Sequence, residues 1–213
     1  MADESARSTD GEDYAQRLVR LQNAPWKRLL CVQAVFRWNL RRLQPGFTLE
    51  IGCGIGRNLE HLRGQSVGVD TNEHCVRAAR ARGLVAFTPD EFRRAAEYNQ
   101  PSRFETILLA HVAEHMTEDQ AVALVAEYLG LLRPRGRLVL IAPQEAGFRS
   151  DSTHVQLMDF TRLQRISTRL GLSPEQIFSF PFPRWVGRWF TYNEFVVVSR
   201  RLAGGDERAA HAS

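Results

Sequence analysis

The sequence predicts one α/β domain, in which strands alternate with helices around a single sheet. Its 213 residues, 44% of them hydrophobic, are enough for one domain of this class with a full core. Short apolar runs that favour strands alternate with segments of helical periodicity. The first of these runs, residues 47–51, leads into glycines at every second position, Gly52, Gly54 and Gly56. A strand that breaks into glycines and continues as a helix lets the backbone pass close to a bound ligand.

The charge pattern does not favour a nucleic-acid-binding protein. The formal net charge is +4, and the basic residues are almost all arginines, with Lys27 as the only lysine. No dense basic run accompanies this excess, so attraction for phosphate is allowed but not indicated. Nucleic acid is therefore a disfavoured partner that the sequence leaves open.

The cysteines and the hydropathy pattern indicate a reducing compartment. Cys31, Cys53 and Cys75 are odd in number and form no C-x-x-C pair. Cys53, inside the glycine loop, is interpreted as a small packing residue. The sequence shows no signal peptide and no apolar run long enough to span a bilayer. We therefore expect a cytoplasmic protein that has no membrane partner.

Two helical patterns precede the first strand. Residues 1–12 are small, polar and acidic, and we expect them to be disordered. Residues 13–44 carry two amphipathic patterns separated near Pro25. Within them, Tyr14 and Trp26 either contact a substrate or pack on the sheet. Pro45 and Gly46 mark the entry to the first strand.

The glycine loop is accompanied by two acidic residues. Glu50 stands just before the loop, and Asp70 follows a second apolar run 20 residues later. An acidic residue at this offset suits the two hydroxyls of a ribose. The sequence thus predicts a nucleotide-type cofactor, because a turn that only packs helix on strand does not explain Asp70. The glycines run G-x-G-x-G, whereas the dinucleotide fingerprint is G-x-G-x-x-G.

The pattern E-x-G-x-G-x-G followed by a strand and Asp70 resembles the first two motifs of class I S-adenosylmethionine (SAM) methyltransferases. The resemblance implies a seven-stranded Rossmann-like sheet, mostly parallel with the last strand antiparallel, and helices on both faces. It implies a methyltransferase domain at residues 45–201, capped by the helices of residues 13–44, with a flexible tail at residues 202–213. Glu50, Gly52, Gly54 and Gly56 would hold the amino-acid end of SAM, and Asp70 its ribose.

The helices and strands that follow Asp70 continue the alternation expected for this sheet. We expect a helix over residues 72–82 that ends at Gly83, and a third strand at residues 84–87. In the family an acidic residue after the third strand meets the adenine amino group, which makes Asp90 a cofactor-binding candidate. The alternative is that Asp90 is an ordinary helix N-cap before Phe92.

The stretch after the fourth strand, residues 107–110, reads His111-Val-Ala-Glu114-His115. H-x-x-E-H matches the inverted zinc-peptidase motif, in which a helix carries both histidines. Here the motif follows a strand directly, and the helix begins later, at Thr117 with a capping box to Gln120. The position favours a site at the carboxyl edge of the sheet over a peptidase.

This stretch also resembles the E-x-x-E-H motif of two metal-dependent groups, the ubiquinone-pathway O-methyltransferases and the small-RNA 3′-terminal 2′-O-methyltransferases. The resemblance implies a divalent ion, Mg²⁺ or another metal, held by Glu114 and His115 with His154 from further along the chain. His111 replaces the first glutamate, so it is a candidate for contact with the cofactor and, with His115 and His154, for catalysis. Two alternatives stay open: structural hydrogen bonds without a metal, and His154 acting alone as a general base.

The last third of the chain completes the predicted sheet. It contains a fifth strand at residues 137–142, a polar loop at residues 143–151, and a helix that starts at Asp159 or Thr161. Residues 177–180 and 196–198 resemble the final antiparallel pair of the methyltransferase sheet. The connection between them is rich in aromatic residues and arginines, which suit a sugar or a stacked base. The alternative is that Trp189 and Phe190 cover the sheet edge.

These observations favour SAM-dependent O-methylation of a sugar or oligosaccharide hydroxyl. Size and motif order resemble the sugar O-methyltransferases of methylmannose polysaccharide synthesis. The alternatives are an RNA ribose 2′-O-methyltransferase, a small-molecule O- or N-methyltransferase, a NAD oxidoreductase, and a non-catalytic SAM-binding partner subunit. A homodimer is left open.

Overall fold

The computed structural model describes residues 32–62 and 64–202. The predictions for residues 1–12, for Tyr14 and Trp26, and for nearly all of the C-terminal tail lie outside the described residues. No helix among the described residues is long and apolar enough to cross a membrane.

Seven strands and seven α-helices are described, together with two 3₁₀ turns at Ala113–His115 and Arg184–Arg188. The strands are β1 (Thr48–Ile51), β2 (Ser66–Val69), β3 (Ala86–Phe87), β4 (Phe104–Ala110), β5 (Leu132–Pro143), β6 (Leu172–Phe180) and β7 (Glu194–Arg201). The helices are α1 (Val32–Arg42), α2 (Arg57–His61), α3 (Glu73–Ala81), α4 (Pro89–Arg94), α5 (Glu118–Leu129), α6 (Glu145–Arg149) and α7 (Phe160–Arg169).

All seven strands form one sheet in the order β3-β2-β1-β4-β5-β7-β6. The pairs from β3 to β5 are parallel, and β7 runs antiparallel to both β5 and β6. The predicted sheet is therefore confirmed. The strand order reverses at β1, whose neighbours are β2 and β4. In open sheets of this kind ligands bind at that switch point, beyond the carboxyl ends of the strands.

Helices cover both faces of the sheet because successive strand residues point to opposite sides. On one face Ile107 and Leu109 of β4 pack in a core with residues of α5 and α7 such as Val125 and Leu163. On the other face Leu108 and Ala110 pack with Leu40 of α1. Both layers are buried, so β4 is apolar along nearly its whole length, as expected for a central parallel strand.

Local capping signals account for the helix boundaries. The predicted helix at residues 72–82 is α3, whose N-cap Asn72 accepts hydrogen bonds from the backbone N–H groups of His74 and Cys75. Thr117 and Gln120 form the expected capping box of α5. Asp159 is the N-cap of α7, which confirms one of the two predicted starts of this helix.

Strands β4 and β6 begin earlier than predicted, at Phe104 and Leu172, and β3 begins later, at Ala86. Two further segments also differ from the prediction. Strand β5 begins at Leu132, which pairs with Phe104 of β4, and not near Arg137. A bulge separates this pair from the pairing of Arg137 with Thr106, and Arg135 within it adopts φ 61°. The segment expected to be a polar loop contains α6, the short helix at Glu145–Arg149. This helix is fixed by a tertiary ion pair between Glu145 and Arg184, which no local pattern reports.

Candidate active site

The glycine loop bends sharply between β1 and α2. Gly52, Gly54 and Gly56 have φ of 73°, 52° and 82°, the left-handed region that favours glycine. A Cβ on Gly52 would lie 2.3 Å from Val112 Cγ2, and one on Gly56 would lie 2.5 Å from Leu84 Cδ1. Both backbone shape and packing therefore require glycine at these two positions.

Glu50 lies at the end of β1 and is buried, with 2% of its surface exposed. Asn58 Nδ2 donates a hydrogen bond of 2.7 Å to its Oε1, whereas Oε2 is buried and has no partner among the described residues. Burial raises the pKa of Glu50 to about 8, although the Asn58 hydrogen bond and the charge of Arg57 lower it. A buried acidic oxygen without a partner indicates a place for a cationic or donor group of a ligand.

Asp70 follows β2 and is tied to the glycine loop. Its Oδ2 accepts a hydrogen bond of 2.7 Å from the backbone N–H of Gly54, and its Oδ1 accepts one of 2.9 Å from that of Asn72. The hydrogen bond from Gly54 thus fixes the position of the glycine loop relative to the Asp70 carboxylate.

Cys53 lies between these two elements and packs on β2. Its Sγ lies 2.5 Å from where a Cβ on Gly68 would stand, and burial raises the pKa of its thiol. These observations agree with the packing role predicted for Cys53.

Asp90 lies away from this arrangement. Its side chain is exposed and forms an ion pair with Arg93. The N-cap of α4 is Thr88, which forms a capping box with Glu91, so the N-cap interpretation of Asp90 is wrong. Its predicted contact with adenine stays a prediction, and Asp90 does not line the cavity described next.

A cavity of about 320 Å³ opens at the carboxyl edge of the sheet, between the glycine loop, the segment after β4 and helix α6. It brings together most of the residues singled out in the sequence. These lining residues are Glu50, Gly52, Gly54, His111, Glu114, His115 and His154. The residues predicted to bind the cofactor and those predicted to act on the methyl acceptor therefore line the same cavity.

His111 is held between two carboxylates in this cavity. Its Nε2 lies 2.7 Å from Oε1 of Glu194, the first residue of β7, and its Nδ1 lies 3.5 Å from Oε1 of Glu114. Burial lowers the pKa of His111, but its interactions with the carboxylates of Glu114 and Glu194 raise it overall to about 9. An imidazolium at neutral pH cannot accept a proton, so this environment does not suit the base role predicted for His111.

Glu114, His115 and His154 form a cluster in which one ligand atom from each lies within 4.8 Å of the others. Glu114 is fully buried, and neither of its carboxylate oxygens has a hydrogen-bond partner among the described residues. The histidine-bearing turn is locked to the loop of His154, because the Glu114 carbonyl accepts hydrogen bonds from the N–H groups of Val155 and Gln156. Ala113–His115 is a 3₁₀ turn and not a helix, which excludes the geometry of the inverted peptidase motif.

The two histidines of the cluster are oriented by their Nδ1 atoms. His154 Nδ1 lies 2.8 Å from the Phe148 carbonyl oxygen, and His115 Nδ1 lies 3.3 Å from that of Thr153. A carbonyl oxygen only accepts, so each Nδ1 carries a proton, which leaves Nε2 as the atom of each ring that can bind a metal. Burial lowers the pKa of His115, which keeps this ring neutral.

The aromatic connection between β6 and β7 projects from the molecule. Trp185 is 63% exposed and Trp189 is 72% exposed, with their ring centroids 6.4 Å apart. The edge-covering interpretation is therefore wrong for Trp189, whereas Phe190 is half-buried. Phe190 contacts Tyr192 at 5.7 Å between ring centroids, and Tyr192 lines the cavity.

Three residues of the site were missed in the sequence. Arg57 and Asn58 stand directly after the glycine loop, where two polar residues in the first turn of a helix were a usable signal. Glu194 lies 83 residues from His111 along the chain, and no local pattern indicates the pairing.

Comparisons with known proteins agree with this arrangement. Residues 49–138 match the model of a methyltransferase domain family. A search of curated proteins gives no match. The chain is similar to the crystal structure of a SAM-dependent methyltransferase from Archaeoglobus fulgidus, with 18% identity, a TM-score of 0.62, and 79% of this chain and 94% of that chain covered.

Two further structures cover more of the chain. One is magnesium protoporphyrin IX methyltransferase from Synechocystis PCC 6803 with bound S-adenosylhomocysteine, with 16% identity, a TM-score of 0.64 and coverage of 92% and 98%. The other is a complex between the Haloferax volcanii Trm112 methyltransferase activator and a methyltransferase, with 16% identity, a TM-score of 0.66 and coverage of 91% and 96%. At these identities the likeness shows a shared fold. The family match spans the glycine loop, Asp70 and the His111–His115 stretch, and it confirms the predicted enzyme class as far as a methyltransferase.

Proposed function

We propose that this enzyme transfers the methyl group of SAM to a hydroxyl of a sugar or oligosaccharide, with a divalent metal held by Glu114, His115 and His154. The proposal is carried by one observation: the fully buried carboxylate of Glu114, whose oxygens have no hydrogen-bond partner among the described residues, lies within 4.8 Å of a ring nitrogen of both His115 and His154. In this proposal residues 45–201 form the catalytic domain and residues 13–44 cap it.

The donor set fits a metal ion. Burial of the Glu114 carboxylate, which His111 at 3.5 Å offsets in part, is costly, and a bound cation would offset more of that cost. The Nδ1 hydrogen bonds of His115 and His154 to backbone oxygens are the outer contacts that commonly orient metal-binding histidines. Two imidazoles and one carboxylate favour ions such as Mn²⁺, Fe²⁺, Co²⁺ or Zn²⁺ over Mg²⁺, which prefers oxygen ligands. The pattern therefore supports a transition metal more than the Mg²⁺ expected from the family resemblance.

The chain's own residues would mainly align the two substrates. Glu50 and the glycine loop hold the methionine end of SAM, and Asp70 holds the ribose, so that the methyl group faces the cluster. The acceptor oxygen attacks this methyl carbon, the C–S bond breaks, and S-adenosylhomocysteine leaves as a neutral thioether. A metal ion bound to the cluster would lower the pKa of the acceptor hydroxyl and orient it.

The hydroxyl proton needs an acceptor in the same cavity. Burial lowers the pKa of His115, and Nε2 of His154 lies 4.0 Å from Oε1 of Glu114. Either ring is a base if no metal binds. If a metal were bound, both rings would be ligands, and water in the open cavity would take the proton. His111 has the remaining role of a fixed positive charge between Glu114 and Glu194.

The acceptor class rests on the aromatic connection. Trp185 and Trp189 are exposed next to a segment that reaches the cavity at Tyr192, and exposed indole faces bind sugar rings or bases. A ribose 2′-hydroxyl of RNA is the second candidate. It is disfavoured because no dense basic run marks a path for the phosphates. The Haloferax volcanii complex gives a further alternative, in which this chain works with an activator subunit or binds SAM without turnover.

Calorimetric titration of Mn²⁺, Zn²⁺ and Mg²⁺ into protein saturated with S-adenosylhomocysteine tests the metal site. We expect one bound ion in the wild type and none in Glu114→Gln, which keeps shape but loses the charge. His74→Ala is a matched control, since His74 lies outside the cluster on α3 and should leave binding unchanged. No binding by the wild type would refute the metal and leave His115 or His154 as the base.

Methyl transfer from SAM to oligosaccharides, RNA and small phenols or amines, read by mass spectrometry, tests the acceptor. We expect transfer to a sugar hydroxyl that weakens in Trp189→Ala through a higher KM. Transfer to RNA alone, or turnover only with an added partner, would replace the sugar assignment.

A further inference from the structure

The loop that carries His154 also contacts the ring of His115. Thr153 lies directly before His154, and its hydroxyl Oγ1 lies 3.1 Å from Nδ1 of His115. The carbonyl oxygen of Thr153 lies 3.3 Å from the same nitrogen. One residue of this loop therefore places two oxygen atoms at one nitrogen of the His115 ring.

Asp151 sets the direction of the contact between the Thr153 hydroxyl and His115. Oγ1 of Thr153 lies 2.8 Å from Oδ1 of Asp151, and the same Oδ1 accepts a hydrogen bond of 3.0 Å from the Thr153 backbone N–H. A carboxylate only accepts hydrogen bonds, so the single hydroxyl proton of Thr153 is directed at Asp151. Oγ1 is then an acceptor towards His115. The chain of hydrogen bonds therefore runs in one direction, from the imidazole to the hydroxyl and from the hydroxyl to the carboxylate.

The direction of this chain determines which nitrogen of His115 is available to the cluster. In a neutral imidazole one nitrogen carries the proton and the other a lone pair, and the hydrogen bond of the first nitrogen selects the form. A proton on Nδ1 leaves the lone pair on Nε2, as both a metal ligand and a general base on that side require. The ring of His154 is set independently, because its Nδ1 contacts the Phe148 carbonyl oxygen at 2.8 Å.

We propose that Thr153 and Asp151 are positioning residues that hold His115 in the form protonated on Nδ1, and thereby keep its Nε2 available to the cluster. This inference rests on the proposed function, because it gives that Nε2 the role of metal ligand or base. Asp151 acts through the Thr153 hydroxyl and not by contact with the methyl acceptor. The hydroxyl is the part of the contact that a substitution removes, since the carbonyl oxygen of residue 153 stays in every variant.

The form of His115 is measured by ¹⁵N NMR of histidine-labelled, metal-free protein, in which long-range couplings report the protonated nitrogen of each ring. The wild type should carry the His115 proton on Nδ1, and the signal missing in His115→Gln assigns this ring. Thr153→Val, which keeps the branched shape without the hydroxyl, should give a mixture of both forms. Thr153→Ser should restore the wild-type form. Ser152→Ala, an exposed change in the same loop, should not alter it, and His154 should stay protonated on Nδ1 throughout.

Calorimetric titration of Zn²⁺ into the same variants measures the consequence for the cluster. We expect Thr153→Val to weaken Zn²⁺ binding by about 10- to 100-fold, the usual loss when an outer contact of a metal ligand is removed. Thr153→Ser and Ser152→Ala should bind as the wild type does. Asp151→Ala should resemble Thr153→Val in both measurements, because the hydroxyl is then able to turn and donate to Nδ1 of His115.

Three results would overturn the inference. The first is a His115 proton on Nε2 in the wild type. The second is a Thr153→Val variant with the wild-type form and Zn²⁺ affinity, since the carbonyl oxygen alone would then be sufficient. The third is an equal loss in Thr153→Val and Thr153→Ser, which would show that the loop responds to any change at this position. A wild type that binds no Zn²⁺ would remove the metal from the proposed function, whereas the NMR comparison would still decide whether Thr153 orients His115.

Discussion

Replacing Gly52 with alanine should both destabilise the fold and weaken cofactor binding. Two independent effects act at this position. The residue has φ 73°, and a Cβ would lie 2.3 Å from Val112 Cγ2. Val112 belongs to the segment that follows β4, so the overlap would push the glycine loop away from the His111 stretch.

The structure allows the two effects to be separated. A left-handed φ costs an L-residue about 1–2 kcal/mol, and forced overlap in a packed site costs about 1–3 kcal/mol more. Gly52→Ala should therefore lower the free energy of unfolding by roughly 2–5 kcal/mol, the sum of these ranges. Gly83→Ala is the matched control, since Gly83 has φ 75° but no atom within 4 Å of the added Cβ. It should lose only about 1–2 kcal/mol.

Urea unfolding measures both losses, and calorimetry with S-adenosylhomocysteine measures the effect on the site. A second substitution isolates the overlap, because Val112 Cβ lies 3.4 Å from the added atom, an ordinary contact distance. Gly52→Ala combined with Val112→Ala should therefore lose less than the sum of the two single variants.

Two results would refute this account. Equal losses in the Gly52 and Gly83 variants would show that the overlap is absent. Wild-type affinity of Gly52→Ala for S-adenosylhomocysteine would contradict the assignment of the loop to the cofactor.

Three further predictions concern Glu50, the cap of α4 and the thiols. Because burial raises the pKa of Glu50 from an ordinary 4.5 to about 8, its contribution to stability is largest at low pH and is lost as the pH rises towards 8. The free energy of unfolding of the wild type minus that of Glu50→Gln should then fall between about pH 5 and pH 8, and a constant difference in urea unfolding would contradict the buried carboxyl. Thr88→Ala should lower the free energy of unfolding by about 1 kcal/mol because the capping box is lost, whereas Asp90→Ala should lower it by less than about 0.5 kcal/mol. The reverse order in thermal unfolding would identify Asp90 as the cap. Burial raises the pKa of the Cys53 and Cys75 thiols, so iodoacetamide should label them only after unfolding, and rapid labelling of the native protein in mass spectrometry would show that they are exposed.

Features fixed by neighbouring residues were predictable from the sequence, and features fixed by distant ones were not. The Asn72 cap and the Thr117 capping box lie within one helical turn of their partners, so the sequence contains the whole interaction. Thr88-Pro-Asp-Glu91 is also a capping box with proline in the first turn, and assigning the cap to Asp90 overlooked it.

Some contacts of the candidate site could likewise be predicted from the sequence, and others could not. The cluster of Glu114, His115 and His154 follows from the rule that ligands gather beyond the carboxyl ends of parallel strands, together with the family resemblance. The pairing of His111 with Glu194 depends on where an antiparallel strand inserts, and that insertion is decided by packing along the whole of β5.

The position of β7 has a consequence for how the enzyme matures. This strand is the last of the described strands along the chain, yet it lies inside the sheet, where Ile141 of β5 pairs with Val196 and Phe178 of β6 pairs with the same residue. Its first residue, Glu194, also anchors His111 in the cavity. During synthesis, which proceeds from the N-terminus, the glycine loop and β4 emerge long before this strand. A nascent chain therefore lacks this anchor for His111 until β7 emerges and docks.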